Sequence, residues 1–387
     1  MKKVFSLSKL FVIAFMALLF AVVPVKAFAA SGDSVSNPID ISDGAPVSNA
    51  LTDDVRKQYY SYTASDDGIV RFCINPIEAS TSNREWQIQP YDGELNKASL
   101  YWYGTSFQTM YFTVSKGTRI VIEVSNYSGT IDKTYQLFPD FLAADVEKEP
   151  NNSTVTATKL TKDKTILGCI NDNYKDVDFY EIDADKSGSY NVTVKRHEFN
   201  STDTPEWTVK FYDDEANEVA SLNTIYDNKS NIEGLSCVLK KGQKMYIGVT
   251  PYNSAAKKQL YEVTMTFKAY SRVESEPNDS IATADRIYAN KGVFGSLVGQ
   301  NKDYFKLKAT KTGTYRVKLT LAHDVNYLYN FKVLDKNGNT VVSSDSIRRS
   351  GSIKFSAVKG KTYYICVSHD STFWGTSNGV LYKLLVK

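Results

Sequence analysis

The sequence predicts an all-β protein: three tandem β-sandwich domains of jelly-roll type that follow a signal peptide. Three observations predict it. Distinct segments recur in the same order at a period of about 120 residues. Within them apolar and polar residues alternate with period two, and Lys-Gly or Asn-Gly punctuation separates them. Short strands at this spacing in units of this size indicate sandwiches.

The recurrence is visible in three segments. "REWQIQPYD" (84–92) returns as "PEWTVKFYD" (205–213) and more distantly as "YLYNFKVLD" (327–335). "FTVSKGTRIVIEV" (112–124) returns as "CVLKKGQKMYIGV" (237–249) and "FSAVKGKTYYICV" (355–367). "GIVRFCI" (68–74), "GSYNVTV" (188–194) and "GTYRVKL" (313–319) share a third template. In "GSYNVTV", Tyr190, Val192 and Val194 are apolar while Asn191 and Thr193 are polar, the mark of a half-buried strand. The expected division is a signal peptide over 1–29, a divergent sandwich over 30–142, and two further sandwiches over 143–270 and 271–387.

The N-terminus sets the compartment. Lys2 and Lys3 precede an apolar run from Leu10 to Val25, and "AFAA" (27–30) offers a small-residue cleavage site. The expectation is a secreted, extracellular protein, with no membrane association after cleavage. Losing the four lysines of that segment takes the formal charge from +3 to −1. No overall electrostatic case for nucleic acid remains.

A secreted chain with four cysteines invites a disulfide reading. The repeat register puts Cys237 at an inward position and Cys73, Cys169 and Cys366 at outward ones. Only Cys169 and Cys237 share a repeat, and they face opposite ways. Four unpaired thiols are therefore expected, a Cys169–Cys237 bridge being the alternative.

"DVEKEPNNSTVTATKL" (145–160) and "SRVESEPNDSIATADRI" (271–287) carry Glu-x-Glu-Pro-Asn at the junction before a repeat. Alternation in an extended segment points both glutamates the same way. The following Asn or Asp residues add oxygens, and "KDVDFYEI" (175–182) and "NKDYFKL" (301–307) bring a further Asp to the start of a strand. Hard oxygen donors without His or Cys suit calcium. The competing reading is a solvated charged linker.

These two stretches, with "GSYNVTV" and "GTYRVKL" downstream, resemble the bacterial pre-peptidase C-terminal domain, a group that includes collagen-binding domains of secreted collagenases. The resemblance covers roughly 147–267 and 274–387. It implies calcium-stabilised sandwiches that bind matrix or assist a peptidase. By position it implies Glu147, Glu149, Asn151, Asn152 and Asp178 as metal ligands in the second repeat, with Asp176 a weaker candidate. In the third repeat it implies Glu274, Glu276, Asn278, Asp279 and Asp303, with Asn301 weaker. The first repeat departs from the pattern: it has no Glu-x-Glu-Pro-Asn, and Gln58 stands where the others have Asp178 and Asp303.

Nothing in the sequence assembles into a catalytic centre. The three histidines, His197, His323 and His369, form no His-Glu-x-x-His motif, and the adjacent Ser, His and Asp of "SHDS" (368–371) cannot build a triad. Binding is the expected role. Tyr246 and Tyr364 align at an outward strand position, with Tyr252 and Tyr127 just beyond, and such aromatics make contact platforms for extended polymers. The other use of such tyrosines is to cover a second packing layer. The partners expected are an extracellular matrix protein or a cell-surface or wall polymer, the alternative being a secreted peptidase that the chain assists or inhibits.

Overall fold

The computed structural model describes residues 32–78, 85–91, 102–104, 107–109, 111–127, 131–170, 176–197, 207–222, 231–252, 259–298, 302–323, 328–369 and 378–387. The expected signal peptide, 1–29, lies outside them. All regular structure among them is strand, arranged as six sheets, two per repeat. No helix among the described residues is long and apolar enough to cross a membrane.

The second repeat shows the plan. One sheet runs Thr158–Lys159, Asp178–Asp183, Lys244–Pro251, Trp207–Tyr212, Glu218–Leu222. The facing sheet runs Thr165–Gly168, Tyr261–Ala269, Gly188–Arg196, Asn231–Leu239. Apart from the short first strand, which pairs in parallel with Asp178–Asp183, and the hairpin of Trp207–Tyr212 with Glu218–Leu222, the chain alternates between the sheets, in the jelly-roll order. The third repeat repeats that order strand for strand, from Asp285–Ile287 to Asn378–Val386. In the first repeat the seventh strand is broken into Phe107–Gln108 and Phe112–Val114.

The alternation in the sequence is what fills the space between sheets. Tyr190, Val192 and Val194 enter the core of the second repeat beside Trp207, Val209, Phe211, Ile247, Val249, Tyr261 and Val263. The third repeat packs Tyr315, Val317 and Leu319 against Phe331, Val333, Ile365 and Val367. The Lys-Gly turns demand glycine for backbone reasons. Gly117, Gly242 and Gly360 sit at φ of 86°, 89° and 82°, where a side chain would be strained though the space is open.

Each repeat touches the next. Ile69 and Tyr111 of the first repeat bury a small cluster with Val146, Leu167, Cys169 and Leu260 of the second. The Val238 amide then donates to Ser296 Oγ (2.9 Å) across the next junction. All four cysteines are free and buried. Cys237 lies in the sandwich core as expected, and no Cys169–Cys237 bridge forms. Cys169 and Cys366 do leave the core, but smaller clusters cover them, so their outward register does not expose them.

Candidate metal centres

Both Glu-x-Glu-Pro-Asn segments are pinned at two points. Val146 forms a parallel bridge to Leu167, and the Glu147 amide donates to the Leu167 carbonyl (3.0 Å). Further on, the Phe179 amide donates to the Asn151 carbonyl (3.0 Å). The third repeat copies this with Val273–Phe294, Glu274 N to Phe294 O (2.9 Å) and Tyr304 N to Asn278 O (2.9 Å). The segment is thereby laid across the mouth of the sandwich beside the first residue of a strand, Asp178, and beside Asp303 in the third repeat.

The carboxylates converge. One oxygen each from Glu147, Glu149 and Asp178 lie within 4.8 Å of one another, as do those of Glu274, Glu276 and Asp303. Glu147 and Glu274 are 1% exposed, and Asn151, Asp178, Asn278 and Asp303 are 0% exposed. Glu147 Oε1 accepts the Cys169 amide (2.8 Å) and Thr113 Oγ1 of the preceding repeat (3.2 Å). Its Oε2 accepts the Tyr180 phenol (2.6 Å), the Tyr261 phenol (3.2 Å) and Asn151 Nδ2 (3.2 Å). Tyr261 also reaches Asp178. In the third repeat Glu274 accepts the Ser296 amide (2.6 Å) and the Tyr382 phenol (2.9 Å), and Tyr382 also reaches Asp303.

Space for this comes from glycine. A Cβ at Gly168 would overlap the Tyr261 and Tyr180 rings, and one at Gly295 would overlap Glu274 and Tyr382. These tyrosines and glycines were missed in the sequence reading. Tyr135, Tyr261 and Tyr382 occupy one aligned position, so the self-comparison of repeats contained the signal.

The electrostatics of the clusters would suit a cation. Burial pushes Glu147 up to about 7, with repulsion from Asp176 adding to it and the Tyr180 and Cys169 hydrogen bonds opposing. Burial and the charges of Glu147, Asp176 and Glu149 hold Asp178 well above the usual carboxylate range. Glu274 and Asp303 are raised in the same way by burial and by their neighbouring carboxylates. Four buried oxygens remain without a hydrogen-bond partner: Oδ1 of Asn151, Asp178, Asn278 and Asp303. Each such acceptor costs about 1–3 kcal/mol. Asn151 donates its Nδ2 to Glu147, which leaves its Oδ1 as a bare acceptor beside the carboxylates. An oxygen-ligated cation relieves both the repulsion and the bare acceptors.

The implied ligand sets divide accordingly. Glu147, Glu149, Asn151 and Asp178 supply donors to one centre, with Asp176 buried at its margin, and Glu274, Glu276, Asn278 and Asp303 to the other. Asn152 and Asp279 are both exposed, and Asp279 is not among the carboxylates that converge. Asn152 Oδ1 accepts the Val177 amide (3.1 Å), so it ties down the loop instead. Asn301 lies outside the described residues.

The tyrosine platform is corrected at two of its positions, Tyr246 and Tyr364. Tyr246 and Tyr364 do point away from the sandwich core, but each is 8% exposed. Tyr364 is covered by Leu334, Cys366, Ile281, Ala284 and Tyr304, a second packing layer. Tyr252 (57%) and Tyr127 (44%) are exposed.

Fold and site define a class: a tandem array of jelly-roll sandwiches, two of which carry buried, oxygen-only acidic clusters at their entry. No family profile matches the chain. Collagenase ColT of Clostridium tetani (strain Massachusetts / E88) is 28% identical over 200 residues, 49% of this chain and 19% of that protein. The chain thus spans about a fifth of that relative's length. The pre-peptidase C-terminal domain of a Bacillus anthracis collagenase aligns over 27% of this chain and 94% of its own, at 19% identity and a TM-score of 0.23. Tandem CBM51 modules of a Streptococcus pneumoniae SP3-BS71 family 98 glycoside hydrolase align over 59% of this chain and 86% of theirs, at 11% identity and a TM-score of 0.19.

Proposed function

We propose that the chain is a secreted, non-catalytic binding protein for an extracellular polymer, stabilised by one calcium ion in each of its second and third repeats. The observation that carries the calcium assignment is the pair of clusters in which buried carboxylates crowd together beside oxygens that lack partners. Calcium takes oxygen ligands in flexible geometry, and three carboxylates with one asparagine oxygen, from a loop and a strand, would supply part of such a shell. Polymer binding is supported by the tandem array and by the similarity to a protein named for its action on collagen. Several weak sites on one chain add their affinities through effective concentration when geometry lets them engage together.

The test is co-sedimentation of the mature protein with insoluble collagen and with insoluble wall polysaccharide, in calcium and in chelator. Retention on either polymer in calcium supports the reading. Retention on neither, together with capture of a stoichiometric peptidase from culture supernatant, favours an accessory factor instead.

A further inference from the structure

The junction between the second and third repeats holds a cleft of about 540 Å³ lined by Lys240, Arg272, Arg286 and Lys291 around the ring of Tyr288. All four cationic residues are exposed, and Tyr288 is 52% exposed. Arg286 and Lys291 flank the ring, their charged groups 5.7 and 5.8 Å from its centroid. None of the four cations enters an ion pair with a described residue. Asp285, the carboxylate that the charge of Lys240 influences, accepts the Ser275 amide (2.5 Å) and is a single acid set against these four cations.

The fold does not require these charges, because the preceding junction is built the same way with the opposite balance. Aligned on the bridges Val146–Leu167 and Val273–Phe294, Arg272 corresponds to Asp145, Arg286 to Lys159, Tyr288 to Thr161 and Lys291 to Lys164. Lys240 corresponds to Ser115 in the Lys-Gly turn. At the first junction the cations are neutralised: Lys164 by Asp145 (3.4 Å), and Lys159 by Glu181 (3.5 Å) and Asp183 (3.7 Å). At the second, the positions of Asp145, Glu181 and Asp183 are taken by Arg272, Lys306 and Lys308. Arg286 even stands directly opposite Lys306 on the paired strand, a like-charge juxtaposition that costs stability. Every counter-ion of the first junction has been inverted in a protein whose mature charge is close to neutral.

We propose that this cleft binds an anionic polysaccharide, its sulfate or carboxylate groups taken by the four cations and a sugar face laid on Tyr288. Guanidinium groups match oxyanions in a two-pronged geometry, and a half-exposed tyrosine offers a flat amphipathic surface. This rests on the reading of the chain as a polymer binder and gives that polymer a chemistry.

The test uses the mature full-length protein against heparin (sulfate), polygalacturonate (carboxylate), neutral dextran, polyphosphate and single-stranded DNA. Retention on heparin or polygalacturonate above that on dextran is expected, falling as salt screens the contacts; which of the two is held names the source of the anion. The double variant Arg272→Asp, which installs the residue type of Asp145, with Arg286→Glu, which sets an acid opposite Lys306 and so exchanges the signs of the Lys159–Glu181 pair, is expected to weaken that retention at least about ten-fold without lowering the melting temperature. Tyr288→Ala is expected to weaken glycan binding while leaving polyphosphate binding unchanged. The proposal is overturned by indifference to both acidic glycans, by a double variant that binds like the parent, or by DNA or polyphosphate held as tightly as glycan with Tyr288→Ala silent. Collagen retention is followed in the same variants. If it persists while acidic glycans are ignored, the cleft assignment fails and the wider binding reading stands.

Discussion

Gln58 and Asp178 occupy the same rung of the same ladder, Gln58 opposite Val124 and Asp178 opposite Val249. The loop that faces them is also the same, since the Tyr59 amide donates to Gly32 as the Phe179 amide donates to Asn151. A Cβ at Gly32 would run into the Gln58 amide, so in the first repeat the glutamine side chain lies where the other repeats offer an asparagine oxygen. One carboxylate and one amide ligand are thus gone.

The mature chain is therefore expected to bind two calcium ions, not three, by isothermal titration. At calcium ten times the dissociation constant, each ion stabilises its repeat by about 1.4 kcal/mol. Chelation then lowers melting by several degrees. Asp178→Ala and Asp303→Ala are each expected to remove one ion, and the double variant to abolish the response to chelator. A full response in the double variant would falsify the assignment of these clusters as the calcium sites.

Tyr261 and Tyr382 hold the carboxylates without being ligands. Each phenol donates between two of them, Asp178 and Glu147 in one case and Asp303 and Glu274 in the other. Tyr261→Phe and Tyr382→Phe keep ring and packing but release the orientation. Calcium affinity at the affected site is expected to fall about 10–100-fold with the fold intact. Unchanged affinity in both variants would show that the ligands are positioned by the backbone alone.

The fold was legible because strand alternation and turn glycines are local signals repeated three times; Tyr190, Val192 and Val194 go inward as their spacing says. The cluster residues Glu147, Glu149 and Asp178 were legible because the motif is written twice. The sequence could not tell Asn152 from its immediate neighbour Asn151, which has the same chemistry; with Asn151 O paired to Phe179 N, Asn151 turns inward and Asn152 outward. Tyr364 was misread for another reason. Period two tells which sheet face a residue takes, but not that Ile281 and Ala284, some eighty residues earlier, fold over that face.

That covered face changes what alanine should do there. Tyr364→Ala now removes a buried ring and is expected to destabilise the third repeat, though less than Ile247→Ala, fully buried in the core, destabilises the second by roughly 2–5 kcal/mol. Tyr252→Ala, at 57% exposure, is expected to stay within about 0.5 kcal/mol of the parent. Urea melts of the three variants check the order. A Tyr364→Ala protein as stable as Tyr252→Ala would mean the second layer contributes nothing.

The last expectation concerns acid and the first repeat, which has no such acidic cluster among its described residues. Glu123 is 3% exposed and gathers Lys57 (2.8 Å), the Tyr91 phenol (2.8 Å) and the Tyr59 phenol (3.1 Å). Burial raises its carboxyl, but the hydrogen bonds from Lys57, Tyr91 and Tyr59 and the Lys57 charge outweigh it, and the folded value falls below the ordinary 4.5. A carboxylate depressed in the folded state stabilises it above the unfolded value and loses that contribution as pH falls through the folded value. The network is therefore fully present above about pH 5 and lost progressively below pH 4.5. Glu123→Gln keeps the size and removes the charge, so its melting temperature should fall furthest below the parent's near neutrality and converge on it in acid. The expected gap at neutral pH is about 1–3 kcal/mol, the range for an unmade buried hydrogen-bond network. Comparing the two proteins at each pH cancels the titration of the calcium clusters, which both share. A gap that stays constant from pH 7 to pH 3 would mean that Glu123 contributes packing and no charge-dependent stability.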